Sequence, residues 1–317
     1  FGIKVNYDVY EGSEMMEAKL LSGHSNYDVV VPSGAFFERE LHAGVYQKLD
    51  KALLPNLQNL DPGAVLETAT LDPGNQYGVD YTWLVSVGLG YDATKIERRL
   101  ADAPLHSWRL LFDPKVVAKF RDCGVSVLDS PIDVVGAALA YLGKDPNSES
   151  PADLQSAEVL LMAVRPYIRS VDSVHYYSDL ANGDTCLALG WSGDIAQARQ
   201  RAKEAGKDLI LGYSIPEEGS VSAVDVLAIP ADAPHVRNAH IFINYLLRPD
   251  VAAKNATKVT YASGVAGSTA LESEALRSDR AVYPPAEERA RLVAERASSQ
   301  QFARALTRMW TRFKTGQ

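Results

Sequence analysis

A tryptophan and an aspartate stand three residues apart in Gly190-Trp191-Ser192-Gly193-Asp194. An ionised carboxylate takes charge-assisted hydrogen bonds from an ammonium or guanidinium group, and the face of an indole attracts the same cation. The pair therefore suits an organic cation. The competing reading is structural: Trp191 packs in a core and Asp194 caps a helix that starts at Ile195. Other positions bear on that choice. Ser33 follows the apolar run 27–31, and Asp133 follows the run 125–128. Asp225 lies inside the run 222–229, where an unpaired carboxylate is costly. It is either bridged to a Lys or Arg or kept for a ligand ammonium. Tyr261 is a candidate aromatic wall. No basic residue stands at these strand ends, and acids with rings but without bases make a pocket for a cation.

The elements that must carry these residues read as alternating strands and helices. The run 186–189 is a buried strand that breaks at Gly190 and delivers Trp191 and Asp194 to its end. In open α/β sheets, ligands sit just beyond the carboxyl ends of strands. At the front, residues 3–9 alternate apolar and polar and predict a half-buried strand. A helix over 13–21, a doubly covered parallel strand over 27–31 and a helix over 35–43 follow. This β-α-β-α order predicts a parallel sheet. Strands are also expected over 77–91, 125–128, 208–214, 222–229 and 258–260. Helices are expected over 133–142, 152–164, 176–183, 195–205, 239–247, 287–297 and 301–313.

Composition narrows the class. The chain has 317 residues, long enough for two domains with separate cores, and 46% of them are hydrophobic. No apolar run approaches the ~20 residues of a membrane span. The net charge of −8 disfavours nucleic acid and anionic membrane as partners and mildly attracts cations. Phe1 already sits in the strand-like alternation, so the start reads as a mature or trimmed chain without a signal peptide. Cys123 and Cys186 form no CxxC, which excludes a zinc ribbon or thioredoxin-type motif. They are either two buried thiols or one disulfide, and a disulfide implies an oxidising compartment.

No catalytic constellation is present. The six histidines are scattered, without HExxH or an i, i+4 pair, and no carboxylate spacing fits a metal loop. Gly190-Trp-Ser192-Gly193 is off by one from the nucleophile elbow GxSxG. Gly88-Leu-Gly90-Tyr-Asp-Ala93 formally matches a dinucleotide fingerprint, but only a short charged helix follows it. Glycines that permit a close strand crossing account for it better. The expectation is a binding protein with no cofactor and no metal, not an enzyme.

Several segments together resemble the periplasmic putrescine/spermidine-binding proteins of ABC polyamine importers. They include Tyr27-Asp-Val-Val-Val-Pro-Ser33, Cys123-Gly-Val-Ser-Val-Leu-Asp-Ser-Pro131, Tyr141-Leu-Gly-Lys-Asp-Pro-Asn147, Ser178-Asp-Leu-Ala-Asn-Gly-Asp184 and Gly190-Trp-Ser-Gly-Asp194. Phe242-Ile-Asn-Tyr-Leu-Leu-Arg-Pro-Asp250 and Met309-Trp-Thr-Arg-Phe-Lys-Thr-Gly316 extend the likeness to nearly the whole chain.

The resemblance implies an α/β, two-lobe type II periplasmic-binding-protein fold, each lobe a mostly parallel sheet flanked by helices, with a hinge between. The expected boundaries are 1–81 with 205–267 for lobe 1 and 82–204 with 268–317 for lobe 2. It implies a Cys123–Cys186 disulfide and ligand contacts at Ser33, Asp133, Trp191, Asp194, Asp225 and Tyr261. It further implies a periplasmic location and capture of a polyamine in an interlobe cleft. The expected partners are that small cationic ligand and the membrane subunits of an ABC permease, with no nucleic acid, and the protein is expected to be a monomer.

Four departures stand out. The family's first strand and its aromatic-Ser-Asp-Tyr loop would precede Gly2 and are absent from this sequence; either the chain is trimmed or the pocket lacks one wall. Ala223 replaces a usual aromatic, and Asp133 stands where Glu is frequent. Glu295 matches a pocket-lining position that is apolar or amide in relatives; the alternative is a solvated helix surface. These changes point to a longer polyamine or a guanidinium-ended ligand. The other reading is a binding protein or sensor for a different, non-polyamine amine or guanidinium solute.

Overall fold

In the computed structural model, which describes residues 1–10 and 12–316, the chain divides into two compact units. Unit 1 comprises Phe1–Val85 and Ala223–Arg277; unit 2 comprises Ser86–Ser222 and Ser278–Gln317. The crossings expected from sequence lay at 81/82, 204/205 and 267/268. Two of the observed crossings fall inside continuous strands, where neither composition nor a turn signal marks them. The strands of the described residues are β1 Gly78–Asp92, β2 Val125–Val127, β3 Ser170–Val171, β4 Leu187–Trp191, β5 Leu211–Ser214, β6 Ser220–Ala228, β7 Ala262–Ser263 and β8 Leu292–Ala294. β1 and β6 each run from one unit into the other.

In unit 2, β2 pairs in parallel with β3 and β4, with Val127 opposite Leu189. β4 and β5 both pair antiparallel with β1, where Leu89 faces Leu189 on one side and Ser214 on the other. The start of β6 pairs in parallel with β8, Val221 opposite Val293. Helices Pro131–Tyr141, Pro151–Val164, Tyr176–Asn182, Ser192–Glu204 and Gln300–Thr315 flank these strands. Pro131 and Pro151 each open a helix, where the missing N–H has no intrahelical partner to lose. The last helix is strongly one-sided and buries Leu306, Met309, Trp310 and Phe313 in the unit 2 core.

Gly88 and Gly90 lie within uninterrupted β1, not in a phosphate-binding turn. A Cβ at Gly88 would stand 2.5 Å from the Ser214 carbonyl oxygen, and one at Gly90 would stand 2.4 Å from Ile195 Cδ1. The glycine pattern is therefore a packing device. Cys123 and Cys186 are joined in a disulfide that ties the loops entering β2 and β4.

In unit 1, helices Ser13–Leu21, Gly34–His42, Pro62–Leu71, Val236–Leu246 and Pro249–Val259 pack around the end of β6 and the start of β1. β7 pairs antiparallel with β1, Thr82 opposite Ser263. The parallel strand expected over 27–31 is reduced to antiparallel bridges, Val30 to Ala228 and Ser33 to Asp225. Residues 3–9 form no strand, and Val5, Tyr7 and Val9 are exposed. Alternation alone does not make a strand; a hydrogen-bonded neighbour does. Pro249, expected to end one helix, instead opens the next, so the strand expected over 258–260 is helix to Val259. The helix expected over 287–297 is a short turn, Ala286–Arg289, followed by β8.

Glu40 is fully buried in helix Gly34–His42 and accepts from the Tyr46 hydroxyl; its other oxygen has no hydrogen bond among the described residues. Burial raises its pKa from an ordinary 4.5 to about 7, against the lowering effect of the Tyr46 bond. The folded state thus binds this proton more tightly than the unfolded chain. Stability from this group is full below about pH 4.5 and falls by about 3 kcal/mol as pH rises to about 7. Chemical denaturation across pH 4–8 should show Glu40→Gln losing that part of the slope; parallel profiles would refute the assignment. The disulfide closes a loop of 63 residues, so reducing it should lower the unfolding free energy by about 4 kcal/mol, read as an earlier urea midpoint.

Candidate functional site

Each unit gathers part of the expected residue set. In unit 2, Trp191 ends β4 and is the N-cap residue of helix Ser192–Glu204, which places Asp194 in that helix's first turn. Asp133 occupies the first turn of helix Pro131–Tyr141. Both carboxylates therefore stand in the first turn of a helix, where negative charge is favoured. The Trp191 indole Nε1–H donates to Asp133 Oδ2 at 3.1 Å. The Tyr176 hydroxyl donates to Asp194 Oδ2 at 2.9 Å and accepts the Trp191 backbone N–H at 3.0 Å. The Tyr176 ring meets the indole edge-on, with centroids 6.4 Å apart. Asp133, Trp191, Tyr176 and Asp194 are thus one connected group.

Trp191 is half-buried and packs against the unit 2 core, and the helix begins at Ser192, so Asp194 lies in its first turn rather than capping a helix from Ile195. Tyr176 escaped the sequence reading. Its signal was Gly190, where a Cβ would lie 2.3 Å from the Tyr176 ring, so the strand must be bare for the phenol to reach Trp191 and Asp194. Glu295 is buried, follows β8, and its N–H donates to the Ser222 carbonyl at 2.9 Å, which rules out the solvated helix surface.

In unit 1, the bridge between Ser33 and Asp225 brings those two residues side by side. Ser33 is the N-cap residue of helix Gly34–His42, and its hydroxyl lies 3.5 Å from that of Ser13. Asp225 is half-buried and accepts from the Thr82 hydroxyl on β1. Thr82 also lines a small cavity with Tyr261, which follows the left-handed C-cap residue Thr260 of helix Pro249–Val259. Thr82 therefore connects Asp225 to Tyr261. The Asp225 charge helps raise the pKa of Tyr10 and Tyr81, second to the effect of burial on Tyr10 and after burial and Tyr7 on Tyr81. Thr82, Tyr10 and Tyr81 were not in the expected set; only contacts across the fold reveal them.

The donors on these carboxylates include an indole N–H and the hydroxyls of Tyr and Thr. Such donors orient a carboxylate without neutralising it, and the rings beside them offer faces to a cation. Among the described residues no His/Cys/Asp/Glu group is arranged to hold a metal, and no helix is long and apolar enough to cross a membrane.

The model of the bacterial extracellular solute-binding protein family matches residues 1–282. The chain belongs to that family. As a bacterial extracellular solute-binding protein it is 45% identical over 316 residues to the putrescine-binding periplasmic protein SpuD of Pseudomonas aeruginosa, covering 99% of this chain and 86% of that one. It is also 45% identical over 317 residues to the putrescine-binding periplasmic protein PotF of Escherichia coli, covering 99% and 85%. A solved structure titled as a putative spermidine/putrescine ABC transporter from Listeria monocytogenes superposes with a TM-score of 0.88 at 28% identity, covering 100% and 92%. The fold of this solute-binding protein is the α/β fold of type II periplasmic binding proteins. Its relatives are binding proteins of transport systems, not enzymes.

If the Tyr176 hydroxyl ties Trp191 to Asp194, then Tyr176→Phe removes two hydrogen bonds while keeping the ring on Gly190. The expected cost is about 1–3 kcal/mol in a denaturant melt, with a changed near-ultraviolet circular dichroism signal from the indole. An unchanged melt and spectrum would show that the hydroxyl holds nothing in place.

Proposed function

We propose that this solute-binding protein captures a polyamine outside the cytoplasm, in the periplasm, and delivers it to an ABC permease. The observation that carries the reading is the joined group Asp133–Trp191–Tyr176–Asp194, in which two carboxylates flank an indole and each is held by a neutral donor. The resemblance to putrescine-binding relatives supports it. In this proposal the ligand residues are Ser33, Asp225 and Tyr261 from unit 1 and Asp133, Trp191, Asp194 and Glu295 from unit 2. Asp133, Asp194 and Asp225 serve as partners for ammonium groups, and Trp191 and Tyr261 as aromatic faces for the methylene chain. Each aromatic–cation contact in a dry site is worth about 1–2 kcal/mol. The protein acts as a monomeric carrier, without a cofactor and without catalysing a reaction.

Ala223 and Glu295 sharpen the ligand class. A small side chain where an aromatic is usual leaves room, and a further buried acid adds negative charge. Together they favour an amine longer than putrescine, or one ending in a guanidinium group. Calorimetric titration with putrescine, spermidine, cadaverine and agmatine tests the reading. The expected result is saturable binding of at least one, strongest for spermidine or agmatine. Neither heat nor a melting shift with any of the four would overturn it. Asp225→Ala should weaken the best ligand by about 100-fold, since an ammonium would lose a charge-assisted partner in a partly dry site. Wild-type affinity in that variant would remove Asp225 from the set.

A further inference from the structure

Asp80, on β1, is only 2% exposed, and neither carboxyl oxygen has a hydrogen-bond partner among the described residues. Buried polar groups are nearly always bonded, and a buried carboxyl with no donor is destabilising. The three acids that act on it electrostatically, Glu67, Asp225 and Asp61, each have a neutral donor. Trp83 Nε1–H serves Glu67, the Thr82 hydroxyl serves Asp225 and the Gly63 N–H serves Asp61. Asp80 alone among these four lacks one. Lys254 and Lys258, on the helix packed against it, are exposed.

The surroundings are built around this carboxyl. Gly264 lies under it so closely that a Cβ there would stand 1.9 Å from Asp80 Oδ1. Asp80 lines a cavity in unit 1 with Thr82, Asn255, Tyr261 and Ser263, closed on other sides by apolar residues such as Leu227 and Val265. The cavity has room for one water-sized group. Asn255 Nδ2 is likewise buried without an acceptor. A half-turn of its amide presents Oδ1 instead, a third oxygen facing the same space. An –NH₃⁺ group matches a water molecule in size and carries three donors. It also brings a positive charge to the unpartnered carboxyl of Asp80, which a water molecule does not.

We infer that Asp80 is a further specificity-determining residue, and that with Asn255, Thr82 and Tyr261 it bounds a subsite in unit 1 for one primary ammonium group of an amine ligand. The inference rests on the proposed polyamine binding and goes beyond it in assigning a carboxylate outside the set named above. The burial of Asp80 and the three acids around it push its pKa well above the ordinary carboxyl range, which favours the neutral carboxyl when no cation is present. An ammonium placed against it drives the carboxyl to ionise, and the proton leaves to solvent as the ion pair forms.

The test is calorimetry of the full chain with putrescine, spermidine, cadaverine and agmatine, repeated in two buffers of different ionisation enthalpy. Wild type should bind with net proton release. Asp80→Asn should bind the best ligand at least tenfold more weakly, release fewer protons, and melt without ligand no lower than wild type, because a buried acid is gone. Asn255→Leu, which fills the cavity with an apolar side chain, should also weaken binding at least tenfold and keeps the test decisive if Asp80→Asn fails to fold. Wild-type affinity and proton count in Asp80→Asn, or wild-type affinity in Asn255→Leu, would overturn the subsite while leaving amine binding intact. Failure of wild type to bind any of the four amines would overturn both.

Discussion

The hydrogen bond from the Trp191 indole to Asp133 sets the terms for the rest of unit 2. It fixes the plane of the ring and turns a carboxylate toward it, yet adds no positive charge. A lysine or arginine in the same place would hold Asp133 as firmly and neutralise it, leaving little for a cationic ligand to gain. The Tyr176 hydroxyl on Asp194 and the Thr82 hydroxyl on Asp225 follow the same logic. Neutral donors satisfy the geometry of a carboxylate and preserve its charge. The cost of holding that charge is met partly by helix N-termini, since Asp133 and Asp194 each lie in the first turn of a helix.

This arrangement depends on strand ends, and strand ends were legible in the chain. The apolar run through Leu189 was expected to break at Gly190; the strand instead continues through Gly190 and ends at Trp191, yet the glycine still pointed to Trp191 and Asp194. Asp225 was visible as an acid inside an apolar run. The disulfide followed from resemblance alone; spacing left two thiols and one bridge equally open. The misreadings have a common physical origin. Residues 3–9 alternate as a strand does, and 27–31 form an apolar run, but pairing partners decide strands and a single sequence does not display them. Pro249 looked like a stop because proline both ends and begins helices, and only the position of Arg248 outside the helix distinguishes the two.

Tyr176, Thr82 and Asp80 were invisible for a different reason. Nothing about a tyrosine fifteen residues before Trp191 says that its hydroxyl reaches both Trp191 and Asp194. That contact exists because helix Tyr176–Asn182 lays the ring against β4. Thr82 and Asp80 sit two residues apart on β1, so their side chains share one face of that strand. Alternation foretold that they share a face, but not that Asp225 and Tyr261 would be near it. Sequence period gives direction; tertiary packing gives company.

Glycines show how one residue type serves unlike purposes. Gly88 and Gly90 lack side chains so that backbone and helix can press against β1, and their replacement would be a packing fault. Gly190 and Gly264 lack side chains so that a phenol and a carboxyl can lie against bare backbone. In the second pair, the space saved is occupied by the Tyr176 ring and the Asp80 carboxyl. A fold selected only for stability would fill the gap over Gly264 with a methyl group and replace Asp80 by an apolar residue, since a carboxyl without a donor is a loss in every state except one in which a cation arrives. That a buried acid is kept, with the backbone shaped to admit it, is the kind of local disadvantage that proteins accept at sites of function.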